Sequence, residues 1–214
     1  MTNIKRKINN NSESIFIAGN KLFWINKRFF DIFVSLMLIP LLILTYISLM
    51  LLNKFFNKGC VLFYQKRMGM NCSAFYAIKF RSMYSMDTIT RKFDDPIEYD
   101  RITPLGKILR KIRLDELPQI INVLKGEMSL IGPRPDYFDH AVEYVKSING
   151  YRERYLVRPG ISGLSQIRLG YAEGLEATIK KSNIDNYYIK NTSYLLELKI
   201  IFSTLVTIIK ALGS

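Results

Sequence analysis

The chain has 214 residues, a length typical of one domain or of one domain with a membrane segment. Its 49% hydrophobic content excludes a disordered chain, and its single histidine and two cysteines argue against a disulfide scaffold or a zinc site built from several imidazoles or thiolates. The formal net charge of +13 favours a polyanionic partner, which could be nucleic acid, anionic lipid or a phosphorylated substrate.

The N-terminal part of the chain combines a polar extension with a long apolar segment. Residues 1–26 are predicted to form a polar, weakly ordered extension. Residues 27–56 are predicted to form a membrane-inserted helix, because the 21 residues from 32 to 52 carry no charge and can cross a hydrocarbon core of about 30 Å. Pro40 predicts a break or kink in this helix, since proline lacks a backbone donor and its ring clashes with the preceding turn.

The charges beside the apolar segment do not distinguish its two ends. Residues 1–30 carry a net charge of +5 and residues 53–81 a net charge of +6, so the positive-inside rule places both ends in the cytoplasm. A re-entrant helix would satisfy both flanks, and a single kinked transmembrane helix is the alternative. Lys27, Arg28 and Asp31 could form an interfacial anchor at the lipid headgroups, although ordinary charged flanks would give the same pattern.

Two short strands are predicted next, at residues 61–66 and 74–81, around a turn. Because strand side chains alternate, Lys79 and Arg81 would share one face, and such a pair of cations suits a phosphate. A solvated strand face is the simpler interpretation.

The acidic pair Asp115 and Glu116 lies between two predicted helices. The first starts at Thr103 with a proline at its first helical position and carries basic residues that include Arg110. The second follows Pro118, so the pair would lie at its N-terminus, where the helix dipole favours ionised carboxylates. Simple helix capping is the alternative for this pair.

The remaining third of the chain contains one stiff loop and several further elements. Arg134 lies between two prolines, so its backbone is extended and suited to holding a guanidinium for bidentate phosphate binding. Residues 164–169 are predicted to form a strand, residues 173–181 a helix, and residues 194–212 an apolar helix that packs on the core or lies in the membrane interface. We therefore expect a catalytic domain at 57–190 and a C-terminal apolar or interfacial helix at 191–214.

Several motifs occur in a fixed order between residues 27 and 212. After the basic residues that precede the apolar segment, they are QKRMG at 65–69, KFRSM at 79–83, LDELPQ at 114–119, NVLKG at 122–126, MSLIGPRP at 128–135 and VRPG at 157–160. In this order they resemble the bacterial sugar transferases, the monotopic phosphoglycosyl transferases that begin the assembly of polyprenol-linked glycans.

The resemblance implies transfer of a sugar 1-phosphate from a UDP-sugar to undecaprenyl phosphate, with release of UMP. It further implies a covalent phosphosugar on Asp115 and Mg²⁺ as cofactor, with Asp115 and Glu116 as the metal ligands. The positions that would bind phosphates are Lys79, Arg110 and Arg134 by motif, Arg158 and Gln166 by a looser match, and Arg81 by strand alternation alone.

The predicted fold class is α/β: a small membrane-associated catalytic domain with a Pro-broken, re-entrant N-terminal helix and amphipathic interfacial helices. The implied location is the bacterial inner membrane, with the catalytic domain on its cytoplasmic face. Besides donor and acceptor, the expected partners are membrane lipids, a second copy of the chain and downstream glycosyltransferases, and no nucleic acid is expected.

Three other functions fit part of the sequence. A membrane-tethered nucleic-acid-binding protein would explain the net charge, although it would not explain acids inside a basic cluster. A scaffold that binds lipid-linked sugars without catalysis would need no nucleophile. A metal-dependent phosphatase would use the same groups with water as acceptor.

Overall fold

The computed structural model describes residues 4–7, 14–56, 59–84, 99–169 and 174–212. These residues form an α/β domain with one long N-terminal helix. Its strands are β1 (Ile4–Lys7), β2 (Ser14–Ile17), β3 (Leu62–Met68), β4 (Ala74–Phe80), β5 (Ser129–Ile131) and β6 (Gly160–Ser162), and its helices are α1 (Lys21–Phe56), α2 (Pro104–Lys111), α3 (Gln119–Lys125), α4 (Phe138–Ser147), α5 (Leu164–Leu169), α6 (Gly174–Asn191) and α7 (Tyr194–Leu212).

The long helix α1 begins at Lys21, six residues before the predicted start of the membrane segment. Its first turn is capped by Asn20, whose side-chain oxygen accepts a hydrogen bond from the backbone N–H of Phe23 at 2.8 Å. Among the described residues, this is the one helix long and apolar enough to cross a membrane. Of the break or kink predicted at Pro40, the break is wrong, because α1 continues through this residue. A proline inside a helix removes one backbone hydrogen bond without ending the helix, and a kink at Pro40 stays a prediction.

The N-terminal extension is also more structured than the sequence suggested. β1 and β2 pair as an antiparallel hairpin, and Ile17 is buried in the largest hydrophobic cluster. The backbone N–H of Ala18 donates to the carbonyl of Ile189 in α6 at 3.0 Å. The prediction of a weakly ordered extension up to residue 26 is therefore corrected for residues 14–26, which form β2 and the start of α1, with Ile17 and Phe23 buried in the domain.

The charged residues at the start of α1 contact other elements of the domain. Lys27 forms an ion pair of 2.5 Å with Glu197 of α7, and Asp31 accepts a hydrogen bond of 3.1 Å from the backbone N–H of Leu130 in β5. Arg28 donates to two carbonyl oxygens at the C-terminal end of α3, at 2.7 and 3.2 Å. Lys27 and Asp31 are buried, so these residues attach α1 to the domain. Their role as an interfacial anchor stays a prediction.

The hairpin of β3 and β4 supports the candidate active site. The two strands pair antiparallel, as predicted, with Phe63 opposite Lys79. Asn122 of α3, which is fully buried, fixes this hairpin: its side-chain oxygen accepts from the backbone N–H of Ile78 at 3.0 Å and its amide donates to the carbonyl of Tyr76 at 2.7 Å. Helix α3 is thereby held against one edge of β4.

The C-terminal part is more helical than predicted. β5 and β6 form a short parallel pair, but residues 164–169 form helix α5 and not a strand. Leu164 and Ile167 both pack on the main core, and a separation of three residues is helical spacing rather than strand alternation. Helix α6 begins at Gly174, while Glu173, the first residue of the helix predicted there, lies outside the described residues.

Helix α7 has the predicted bounds, Tyr194–Leu212. One side packs on the core through Ile200, and the other side carries exposed apolar residues at helical spacing, at positions 195, 198, 202, 205 and 209. The helix therefore combines the two alternatives left open by its sequence, packing on the core and presenting an apolar face.

Candidate active site

The acidic pair lies on a tight connection between α2 and α3. Thr103 caps α2 as predicted, and its hydroxyl accepts from the backbone N–H of Gly106 at 2.9 Å. After α2, Arg113 adopts a left-handed conformation with φ 61°, which turns the chain into a single 3₁₀ turn, Leu114–Glu116. Asp115 and Glu116 thus precede α3 instead of occupying its first turn, and the reversal at Arg113 directs them towards the hairpin of β3 and β4.

Glu116 is held by two cations. It is buried, with 6% of its surface exposed, and its carboxylate lies 3.2 Å from Nζ of Lys79. Arg134 binds the same carboxylate through both terminal nitrogens, with one bond of 3.1 Å from Nη1 to Oε2. Burial alone would raise the pKa of Glu116, but the charges of Arg134 and Lys79 outweigh it and hold that pKa well below the usual range. Glu116 is therefore ionised and fixes the positions of two cations.

The pKa of Lys79 is lower than that of an exposed lysine. Burial lowers the pKa of its ammonium group to about 8, and the attraction of Glu116 offsets only part of this effect. Lys79 is thus a cation at neutral pH that can lose its proton within a mildly alkaline range.

Asp115 differs from its neighbour in both bonding and charge. Within the described part of the chain, its carboxylate accepts no hydrogen bond. Burial and the adjacent Glu116 carboxylate raise the pKa of Asp115, while Lys79, Arg110 and Arg134 partly oppose that rise. The expectation that a helix dipole would dominate its ionisation is therefore corrected: α3 has seven residues and starts after the pair, so burial and nearby charges decide the direction.

The structure brings together five of the predicted site residues and separates others. The five that act on one another electrostatically are Lys79, Arg110, Asp115, Glu116 and Arg134. Gln166 adjoins this cluster, because its amide and the guanidinium of Arg134 both donate to the carbonyl of Ile161 at 3.4 Å.

Arg158 and Arg81 lie elsewhere. Nε of Arg158 donates to the carbonyl of Gly126 at 2.8 Å, at the end of α3 remote from Glu116. Arg158 therefore contacts the C-terminal end of α3, away from the acidic pair, and lies close enough to Arg28 to repel its positive charge. Phosphate binding by Arg158 stays a prediction. Arg81 follows β4 and lies beside Gly59 in a groove outside the cluster, although strand alternation places it on the same face of the hairpin as Lys79.

A buried ionic network, which the sequence analysis missed, lies behind Arg134. The guanidinium of Arg154 is fully buried and binds Asp136, Asp185 at 2.7 Å and the carbonyl of Arg134 at 2.7 Å. Asp136 also accepts from Lys181 and from the hydroxyl of Tyr151 at 2.5 Å. The position of Asp136 directly after the Pro-Arg-Pro loop was the available signal, but its partners are 15 to 45 residues away along the chain.

The network fixes the loop that carries Arg134 at several points. Arg154 holds the carbonyl of Arg134, Arg67 donates to the carbonyl of Pro135 at 3.0 Å, and the backbone N–H of Met68 donates to the carbonyl of Asp136 at 3.1 Å. Three consecutive carbonyl groups of the loop are therefore bonded, which leaves the Arg134 side chain pointing to Glu116.

The residues present also limit how a metal could bind. In the described ranges, no group of three or more His, Cys, Asp or Glu side chains could hold a metal ion. Asp115 and Glu116 supply two carboxylates, which is the usual protein contribution to Mg²⁺ when phosphate oxygens and water complete the shell. The donor set fits a metal that is shared with a phosphorylated substrate.

Fold and site together define a class: an α/β domain joined to an apolar helix, with a carboxylate pair set among buried cations. Residues 22–211 match the family described as bacterial sugar transferase. The chain belongs to the bacterial sugar transferase family.

Three relatives illustrate this membership. A UDP-N-acetylgalactosamine-undecaprenyl-phosphate N-acetylgalactosaminephosphotransferase of Aeromonas hydrophila is 41% identical over 189 residues, which cover 88% of this chain and 44% of that protein. A UDP-glucose:undecaprenyl-phosphate glucose-1-phosphate transferase of Klebsiella pneumoniae is 41% identical over 83% of this chain and 39% of that protein. The exopolysaccharide production protein PSS of Rhizobium leguminosarum bv. phaseoli is 38% identical over 85% of this chain and 94% of its own length. The chain thus spans less than half the length of the first two relatives.

Proposed function

We propose that this protein transfers a sugar 1-phosphate from a UDP-sugar to undecaprenyl phosphate, giving undecaprenyl diphosphate sugar and UMP. The observation that carries the proposal is the contrast within the acidic pair: Glu116 is bound by Lys79 and Arg134, whereas Asp115 beside it accepts no hydrogen bond from the described residues. Two of the relatives are named for this reaction with UDP-glucose or UDP-N-acetylgalactosamine.

The reaction would proceed in two displacements at phosphorus. In the first, a carboxylate oxygen of Asp115 attacks the phosphorus that bears the sugar, the bond to the bridging oxygen breaks, and UMP leaves with that oxygen. In the second, a phosphate oxygen of the acceptor attacks the same phosphorus, and the Asp115 carboxylate leaves. Each step forms one P–O bond and breaks one, so no oxidant or extra proton acceptor is required.

The cations around Asp115 would reduce the electrostatic repulsion between its carboxylate and the donor diphosphate. A carboxylate that approaches a diphosphate meets like-charge repulsion, and fixed positive groups reduce that repulsion in a site partly shielded from water. Lys79 and Arg134 are already positioned by Glu116, and Arg110 acts on Asp115 from the end of α2. Glu116 would serve mainly to position these two cations.

Asp115 and Glu116 would also hold Mg²⁺. When bound, the metal would supply charge neutralisation at phosphate oxygens. Asp115 has unoccupied acceptor positions, and Glu116 already accepts bonds from Lys79 and Arg134, so Asp115 would be the stronger ligand of the two.

We also propose that α1 is re-entrant, with both ends on the cytoplasmic face of the inner membrane. A straight helix would separate Arg28 from Leu49 by about 31 Å. Arg28, however, contacts the end of α3, and Leu49 is buried in one cluster with Phe80, on the strand that α3 packs against. A bend near Pro40 would bring both halves to one domain, and this supports the proposal.

Accessibility to a membrane-impermeant thiol reagent tests the topology. In Cys72→Ser protein, a cysteine introduced at Asn20 and the native, exposed Cys60 lie on opposite sides of the apolar segment. The re-entrant arrangement predicts that neither is labelled in intact cells and both are labelled in inverted vesicles. Labelling of one of them in intact cells would establish a spanning helix.

Self-association and contacts with downstream glycosyltransferases stay predictions from the family resemblance.

Turnover tests the reaction. Purified protein in detergent should release UMP from one member of a panel of UDP-sugars, and only with undecaprenyl phosphate and Mg²⁺ present at multiple turnover. Asp115→Asn should abolish release while the protein stays folded, and the exposed Asp100→Asn is the matched control that should retain it. Full turnover by Asp115→Asn would refute the assigned role, and phosphate release from the donor without lipid would favour a phosphatase.

A further inference from the structure

A groove of about 810 Å³ lies between the C-terminal half of α1 and the hairpin of β3 and β4. One wall comes from α1, with Tyr46, Met50 and Asn53 on one helix face. The opposite wall comes from β3 and includes Phe63, and Arg81 completes the lining. Tyr46 and Met50 give the α1 wall its apolar surface, and Arg81 is the one charged residue among the described residues that line the groove.

The groove adjoins the candidate active site through the hairpin. Phe63, in the groove wall, is the register partner of Lys79, and cross-strand partners project from the same face of a sheet. The backbone N–H of Arg81 donates to the carbonyl of Val61 at 2.8 Å, so the ladder continues and alternation places Arg81 on the same face as Lys79. Two residues along a strand cover about 6.6 Å, which is close to the size of one phosphate group with its bonded partners.

The residues that form the apolar wall indicate which kind of ligand would bind in the groove. Tyr46 and Met50 belong to the helix whose hydropathy suits a membrane interior, and both are substantially exposed, at 39% and 48%. A ligand that lies here would have an apolar chain on the membrane side and an anion near Arg81. A nucleotide has no such chain, whereas a prenyl phosphate has both parts.

We propose that this groove binds the acceptor, a long-chain prenyl phosphate, with its first isoprene units against Tyr46, Met50 and Phe63 and its phosphate on Arg81. This inference rests on the proposed function and places the acceptor beside the donor, on the same face of the hairpin. Arg81 then holds the acceptor phosphate one step along the hairpin from Lys79, which faces the reacting phosphorus.

Direct crosslinking tests the site without turnover. A prenyl phosphate that carries a diazirine on an early isoprene unit should label α1 and β3 at the groove, and unlabelled undecaprenyl phosphate should compete. Labelling confined to other elements, such as the exposed face of α7, would overturn the assignment. If the groove is labelled but no UDP-sugar supports transfer, the proposed function fails while the binding site stands.

Kinetics supply the second test. Arg81→Gln should raise the KM for undecaprenyl phosphate about tenfold or more, because a charge-assisted contact is lost, and should leave the KM for the UDP-sugar unchanged. Met50→Trp should fill the groove and raise the same KM, whereas Leu51→Trp, on the next, similarly exposed position of α1 outside the groove, should not. A change in the donor KM alone, or equal effects of Met50→Trp and Leu51→Trp, would overturn the proposal.

Discussion

Substitution of Arg154, whose guanidinium is buried, should destabilise the domain. The guanidinium is fully buried, and it neutralises Asp136 and Asp185 while it bonds the carbonyl of Arg134. Arg154→Met keeps much of the side-chain volume but removes the guanidinium shared by two buried carboxylates, of which Asp136 keeps its ion pair with Lys181. We expect the variant to lose both stability and the fixed position of the Arg134 loop.

The size of the stability loss follows from the burial of the network. Removal of one partner from a buried ion pair costs about 3–5 kcal/mol, because the remaining charge is left uncompensated. For a protein of about 150–250 residues, each kcal/mol corresponds to about 2–4 °C in the unfolding midpoint. Arg154→Met should therefore lower Tm by about 6–20 °C.

Thermal unfolding in one detergent, followed by intrinsic fluorescence, measures this loss. Arg152→Met is the matched control, because Arg152 lies on the same segment and is exposed, and its effect should stay within about 0.5 kcal/mol. Arg154→Lys should give an intermediate loss, since one ammonium cannot reach all three partners in the same geometry. A Tm for Arg154→Met within about 2 °C of wild type would refute the reasoning that this network stabilises the loop.

Two further predictions concern the reaction and the backbone of the site. Because burial lowers the pKa of Lys79 to about 8, the cation beside Glu116 is lost above that pH, so kcat/KM should fall there and Lys79→Arg should move the alkaline limb upward. An alkaline limb unchanged in Lys79→Arg would contradict this assignment. A methyl group at Gly132 would lie 2.6 Å from the carbonyl oxygen of Arg158 and 3.0 Å from the nitrogen of Gly160, so Gly132→Ala should cost at least about 1–3 kcal/mol by denaturant unfolding. Wild-type stability of Gly132→Ala would show that β5 and β6 can separate without loss.

The sequence predicted best those helices and strands that are determined by a few adjacent residues. Thr103 before a proline marked the start of α2, and Pro118 marked the start of α3, because caps and turns depend on a few adjacent residues. Alternation likewise gave β3 and β4 to within two residues at each end. The strand predicted at 164–169 was wrong because six residues with apolar side chains at 164, 167 and 169 fit a short strand or a short helix, and contacts with the core decide between them.

The site was predictable where its residues are close along the chain or match a motif. Asp115, Glu116 and Arg134 come together as the motifs implied. The pairing of Lys27 with Glu197 could not be predicted, because the two residues are 170 positions apart and nothing in the sequence marks them as partners. The buried partners of Asp136 were missed for the same reason.

The central claim is that Asp115 attacks the donor and carries the phosphosugar. The most direct measurement is a pulse with a UDP-sugar labelled at the phosphate next to the sugar, without acceptor, followed by denaturation and mapping of the label on the chain. We expect label on Asp115, release of UMP in proportion to it, and transfer of that label to undecaprenyl phosphate added in a chase. Wild-type turnover with no label on the protein, or equal labelling of Asp115→Asn, would show that Asp115 is not the nucleophile.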